Sequence, residues 1–273
     1  MADTQGKWIW YELMTTDRQG AKKFYDAVVP EWTLQTSHGG GDTGTDAGEN
    51  PYGFINNADG TMTGGVFELS DEMCNQGARP CWLGYICVDD VDAMLKSIEA
   101  EGGKMVMPPR DVEMAGRIAM VSDPTGAHFY IMTPKPMPGM ENAESTAFSQ
   151  TKQGSCSWNE LMAAGQSKAI DFYTKLFGWR TDNMEPMDMG DMGKYVFITK
   201  DDTDIGAIME RPEGMPVSAW GHYFRVPSIE VAKAAVEANG GTIMTQPMEV
   251  PGGEWIINGT DPQGAYFSLV GGK

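Results

Sequence analysis

The chain has 273 residues, with 38 acidic side chains against 20 basic ones and a formal net charge of −18. Such a surface repels phosphate backbones and anionic lipid, which argues against nucleic acid and membrane surfaces as partners. The apolar share is ordinary for a folded protein, and the length suits two domains.

The first element is a strand over Lys7–Met14, alternating and rich in Trp and Tyr. Asp17 is placed to cap a helix over Arg18–Val28, whose Ala21, Phe24, Tyr25 and Val28 share one face. A strand near Trp32–Thr36 follows, then a Gly/Asp-rich loop over Ser37–Pro51. Asn57-Ala-Asp-Gly60 reads as a hairpin turn between short strands Gly53–Asn56 and Met62–Leu69. The pattern then restarts. Trp82–Val88 is a strand, Val91–Ala100 a helix closed by Gly102-Gly103, and strands follow near Lys104–Met107, Arg117–Val121 and Ala127–Met132. Thr133–Ser155 carries Pro134, Pro136 and Pro138 and reads as a semi-stiff linker.

Beyond the linker the chain repeats itself. Trp10, Glu12, Met14, Phe24 and Tyr25 recur 148 residues later as Trp158, Glu160, Met162, Phe172 and Tyr173. Trp82, Tyr85, Gly102-Gly103, Asp123-Pro124 and Phe129 recur 138 residues later as Trp220, Tyr223, Gly240-Gly241, Asp261-Pro262 and Phe267. A period this long marks a duplicated domain rather than a solenoid. The fold class is therefore α+β, with four βαβββ units starting near Lys7, Cys81, Cys156 and Ser218. They group as one domain over 7–133, a Pro-rich linker over 134–154 and a second domain over 155–270. Residues kept in both copies are expected to serve the fold, and polar residues present in one copy are candidates for chemistry.

The cysteines are Cys74, Cys81, Cys87 and Cys156; no CxxC pair occurs and the halves do not share them. That is neither a disulfide framework nor a zinc site, and a reducing compartment is the simplest inference. Met1–Lys7 lacks an apolar signal core, and no apolar run approaches the roughly 20 residues of a membrane span. The expected location is cytoplasmic.

The chain resembles the vicinal oxygen chelate superfamily, which includes glyoxalases, bleomycin-resistance proteins and extradiol dioxygenases. The residues that carry the resemblance are Ala169–Trp179 after a Glu-bearing strand, Val88-Asp-Asp-Val91, Glu101-Gly-Gly103 and Asp123-Pro-Thr-Gly-Ala127. The second half repeats the last three as Val226-Pro-Ser-Ile229, Ala238-Asn-Gly-Gly241 and Asp261-Pro-Gln-Gly-Ala265. The resemblance implies that two βαβββ units join in one curved sheet around a cleft, giving two glyoxalase-like bidomains side by side. In metal-using relatives, four inward strand positions supply His, Glu or Gln to a divalent ion that binds vicinal substrate oxygens.

Those four positions fall here on Trp10, Glu68, Leu83 and Tyr130 in the first half. In the second they fall on Trp158, Met209, Gly221 (beside His222) and Ser268. Only Glu68 is of a ligating type, so no metal and no other cofactor is favoured. If a divalent ion is present, Glu12, Glu68 and His128 are its candidate ligands. Strand alternation turns Glu12 and Glu160 inward with the tryptophans, His128 with Tyr130, and Tyr266 with Ser268. Glu12, Glu160 and His128 are accordingly the candidate catalytic groups, although a buried carboxylate shared by both copies also suits a structural role. Trp10, Trp158, Tyr130, Tyr266, Met209 and Ser268 are the candidate ligand-binding residues. The function expected is the binding of a small, fairly apolar metabolite in a cleft by a monomer or homodimer. The alternative is a metal-dependent lyase, isomerase or dioxygenase acting on vicinal oxygens, so whether the chain is an enzyme stays open.

Overall fold

In the computed structural model, residues 4–36, 52–113, 115–135 and 144–273 are described. The Ser37–Pro51 loop, with its Asp42 and Asp46, and most of the proline run of the linker lie outside them. The first repeat contains β1 (Trp8–Thr15), α1 (Arg18–Val28), β2 (Trp32–Leu34), β3 (Gly53–Asn57), β4 (Met62–Glu68), α2 (Asp71–Asn75), β5 (Cys81–Cys87), α3 (Val91–Ala100), β6 (Lys104–Val112), β7 (Gly116–Ser122) and β8 (His128–Pro134). The second contains β9 (Cys156–Ala163), α4 (Gln166–Phe177), β10 (Met187–Asp188), β11 (Lys194–Lys200), β12 (Thr203–Glu210), β13 (Ala219–Ser228), α5 (Ile229–Ala238), β14 (Thr242–Glu249), β15 (Trp255–Thr260) and β16 (Tyr266–Gly272).

Each repeat builds one eight-stranded sheet. The orders are β2-β3-β4-β1-β5-β8-β7-β6 and β10-β11-β12-β9-β13-β16-β15-β14. The two orders match element for element, so the fold is α+β with two repeated halves of four βαβββ units in all. Inside each unit the first strand pairs parallel with the last, as β1 with β4 and β9 with β12.

The helices begin where side chains can satisfy their free N–H groups. Asp17 accepts from the Gly20 amide at 2.9 Å, Asp90 from Ala93 at 3.0 Å and Ser228 from Val231 at 3.4 Å. Helix α4 has no such residue, because left-handed Gly165 precedes it. Glu210, at the end of β12, takes the role from across the sheet by accepting from the Gly165 and Gln166 amides, both at 2.9 Å. Strand β6 runs five residues past the expected end at Met107, through Pro108 and Pro109. It is a sheet edge with a register shift there, where missing N–H donors cost nothing. Helix α2 was not expected from sequence. Its five residues are too few for a periodic signal, and Ser70 caps it.

Closest packing divides the chain differently from the sheets. The described parts of Met1–Ile9, Gly84–Ser145 and Trp158–Gly221 form one compact unit. Those of Trp10–Leu83, Thr146–Ser157 and His222–Lys273 form the other. In the first, Trp220 Nε1 donates to the Tyr173 hydroxyl at 2.9 Å, which donates to Asp123 Oδ2 at 3.2 Å. In the second, Trp82 Nε1 donates to the Tyr25 hydroxyl at 2.9 Å, which donates to Asp261 Oδ2 at 3.1 Å. Each relay joins residues of both repeats. Burial raises both tyrosine pKa values well above the ordinary phenol range and raises both aspartates, so these groups are internal anchors. The duplicated Trp, Tyr and Asp residues thus serve packing.

Candidate functional site

Strand β9 shows the cleanest two-sided pattern. Ser157, Asn159, Leu161 and Ala163 are buried, while Trp158, Glu160 and Met162 are half-buried on the opposite, open face. Register carries that face across the sheet. Glu160 lies beside Ala207, Met162 beside Met209, and Phe197 beside Ala207. Tyr195, Ala207 and Met209 form a buried cluster, against which Trp158, Met162, Met187, Met189 and Phe197 pack. Trp158 Nε1 donates to the Tyr195 hydroxyl at 2.7 Å, and that hydroxyl donates to Glu160 Oε2 at 2.8 Å. The result is an apolar wall of aromatic rings and thioethers with one hydrogen-bonded polar end. Trp158, Glu160 and Met209 meet in it.

The first repeat carries the counterpart in its own compact unit. Trp10 Nε1 donates to the Tyr52 hydroxyl at 2.9 Å, and Phe54 packs edge-on against both rings. Gly65 is the register partner of Glu12, and a Cβ added to it would come within 2.0 Å of the Tyr52 hydroxyl. Glycine thus lets the tyrosine lie flat beside the glutamate. Glu12 is only 5% exposed, deeper than half-buried Glu160. Next to it the Cys81 thiol is pushed up to about 12, first by burial and then by the Glu12 charge, and is unreactive as a nucleophile. Tyr52 and Tyr195 were missed from sequence. Their signal was present, since Tyr52-x-Phe54-Ile55 matches Tyr195-x-Phe197-Ile198, but at an offset of 143 that differs from the other two.

Two sequence expectations need correction. Glu68 was paired with Met209, but register puts Thr15 opposite Glu68 and Ala163 opposite Glu210. Glu68 therefore corresponds to Glu210, and Met209 to Phe67. Glu68 lies on the face away from Glu12, where Arg18 Nε holds it at 2.7 Å. His222, beside the expected ligand position at Gly221, is on the buried face, with its ring centroid 4.9 Å from that of Tyr11. Burial alone lowers it to about 3.

The remaining candidates lie on the later units. Tyr130 stacks on Tyr85 at 4.2 Å and 13°. His128 is exposed at the start of β8. Partial burial lowers its pKa, and the Asp123 charge opposes that shift. Ser268 is buried and accepts from Asn258 Nδ2 at 2.8 Å, and the Tyr223 hydroxyl lies 3.4 Å from the same nitrogen. Tyr266 is half-buried at the start of β16.

A divalent ion of the kind the resemblance implies needs hard oxygen or imidazole donors that converge. The tryptophans, Leu83 and Gly221 at the expected positions supply none; Glu68 is held by Arg18 on the other face, its counterpart Glu210 caps α4, Ser268 bonds Asn258 and Tyr130 stacks on Tyr85. Among the described residues no group of three His, Cys, Asp or Glu gathers as a metal cage. The side chains present do not fit that ion.

The Glyoxalase/Bleomycin resistance protein/Dioxygenase superfamily profile matches residues 46–131 and 158–269. CFP32 of Mycobacterium tuberculosis, provisionally named a glyoxylase, is 31% identical over 97% of this chain and 95% of its own length. The anthracycline biosynthesis protein DnrV of Streptomyces peucetius is 32% identical over 71% of this chain and 66% of its own. Among solved structures, the Mn(II)-bound glyoxalase from Novosphingobium aromaticivorans superposes with a TM-score of 0.61 at 16% identity, covering 98% of this chain and 82% of that one. The 2,3-dioxygenase LapB from Pseudomonas sp. KL28 superposes with a TM-score of 0.61 at 14% identity, covering 97% and 91%. At such identities the structural likeness concerns the fold.

Proposed function

This chain belongs to the glyoxalase, bleomycin resistance protein and dioxygenase superfamily, and from that premise we propose that it binds a small, planar, fairly apolar metabolite on the wall around Trp158, without a divalent ion. The observation that carries this reading is the Trp158–Tyr195–Glu160 hydrogen-bond chain set into a face of aromatic and methionine side chains. A flat ring stacks on indole at favourable energy, and methionines adapt to irregular ligand edges. The polar end accepts or donates one hydrogen bond to a ligand carbonyl or hydroxyl and so orients it. Likeness to a protein named for anthracycline biosynthesis favours a conjugated polycyclic ligand.

Glu160 is the acid–base candidate. It is more accessible than Glu12, and the Tyr195 hydroxyl fixes its orientation. A carboxylate held against an apolar wall can take a proton from an activated carbon or hydroxyl of a bound ligand, with its own hydrogen bond to Tyr195 exchanging as charge moves. Glu12 is assigned to support of the first repeat's wall.

The test uses chelator-treated protein and an anthraquinone probe. Binding should quench tryptophan fluorescence and raise Tm, and Trp158→Ala should lower affinity roughly tenfold or more while leaving the fold intact. A stoichiometric divalent ion retained through chelation, with no probe binding once it is stripped, would sink the reading.

A further inference from the structure

The side chains on the second repeat's wall share one hydrogen-bonding sense. Trp158 has a single polar hydrogen, on Nε1, and gives it to the Tyr195 hydroxyl at 2.7 Å. Tyr195 also has one, and gives it to Glu160 Oε2 at 2.8 Å. Both donors are thus used inside the relay, and both are directed towards the carboxylate. Met162, Met187, Met189 and Met209 add only thioether sulfur, a weak acceptor, and Phe197 adds no polar atom. The relay ends on a carboxylate, which has about four acceptor sites and no proton to give. The bond from Tyr195 takes one of those sites, and half-buried Glu160 stays within reach of a molecule on the wall.

We infer that this wall recognises its ligand by a neutral hydroxyl, phenolic or enolic, at the edge of a planar ring, and discriminates against the same ring carrying only a carbonyl or ether oxygen. Glu160 is the specificity-determining residue, and Tyr195 is a positioning residue that acts through it. The inference rests on the metabolite site proposed above and narrows the polar group which that site accepts. A carbonyl brought against Glu160 sets two acceptors face to face, and each loses water without gaining a donor. A hydroxyl there forms a charge-assisted bond, stronger than one between neutral groups. Because Tyr195 already holds Glu160 in one orientation, little ordering remains to oppose that bond. Charge narrows the class further. With 38 acidic side chains against 20 basic ones the chain repels an anionic ligand, and a mostly apolar wall penalises an ammonium group more than a neutral hydroxyl.

Calorimetry with three 2-substituted naphthalenes tests this. 2-Naphthol can donate a hydrogen bond, whereas 2-methoxynaphthalene and 2-acetylnaphthalene only accept. The intact chain should bind 2-naphthol roughly tenfold or more tighter than either of the others. Glu160→Gln replaces one acceptor oxygen by a nitrogen that donates, so the preference should collapse and 2-acetylnaphthalene should gain affinity. Tyr195→Phe should narrow the preference without removing it, because Glu160 remains an acceptor but loses its fixed orientation. A purely structural tyrosine would weaken all three ligands alike and leave their ratio unchanged. Equal affinity of the intact chain for the naphthol and its methyl ether, or a preference that survives Glu160→Gln, would overturn the inference while leaving the apolar site standing. Binding of none of the three would remove the metabolite reading itself, and this inference with it. Should a variant fail to fold, the three affinities of the intact chain decide.

Discussion

His222 shows how far burial outweighs chemistry at a single position. Its ring packs edge-on against Tyr11 and the residue is 2% exposed, so the neutral form is strongly favoured. Its folded pKa of about 3 lies below the ordinary 6.5. The folded state therefore refuses a proton that the unfolded state accepts, and stability is complete above pH 6.5 and lost as pH falls towards 3. Urea unfolding should show a loss of about 2 kcal/mol between pH 7 and pH 5 from this residue. His222→Phe should flatten that slope, and an unchanged slope would refute the assignment. Glu160 is the opposite case, a half-buried carboxylate that the proposed function assigns to the ligand. Tyr195→Phe removes two hydrogen bonds, one accepted from Trp158 and one donated to Glu160, and should lower the unfolding free energy by about 1–3 kcal/mol. If Glu160 acts on the ligand, the same change should alter probe affinity or turnover.

At the scale of elements, close approach decides more than propensity. Gly65 is needed because the Tyr52 hydroxyl occupies the space of a Cβ beside Glu12. Gly65→Ala should push the ring off Trp10 and lower stability by about 1–3 kcal/mol, read by denaturant unfolding. The corresponding position in the second repeat is Ala207, opposite Glu160, and there the Tyr195 hydroxyl donates to Glu160. Glu210→Ala should fray α4, whose amides it caps from another strand, at a cost of about 1 kcal/mol, visible as loss of amide protection at Gly165 and Gln166. Helices α1 and α3 were legible to the residue because an Asp cap and an apolar stripe mark them locally. The cap on α4 was not, since its donor of stability is remote in sequence. The strand ends of β6 were misjudged for a related reason, because only its place at a sheet edge permits the two prolines.

For the whole molecule, the question is whether the sequence boundary at 134–154 separates independent domains. Several buried hydrogen bonds cross that boundary within a compact unit. Tyr25 reaches Asp261, Tyr173 reaches Asp123, Trp179 Nε1 donates to the Gly6 carbonyl at 2.7 Å, and Trp32 Nε1 to Gly154 at 2.7 Å. Cutting in the linker to give residues 1–143 and 144–273 leaves each set unpaired, at about 1–3 kcal/mol per buried group. Neither piece alone should show the intact chain's Tm, and mixing them should restore cooperative unfolding. A separate half that melts like the whole would establish self-sufficient domains. Among the described residues no helix is long and apolar enough to cross a membrane.

The duplication, the order of most elements and the family were readable from residue order, because repeats, periodicity and caps are written along the chain. Strand register was not. It moved Glu68 to the far face, put His222 in the core, and brought Tyr195 to Glu160. Those outcomes depend on which residues lie opposite one another across a sheet, and a shift of one residue there reverses every side chain.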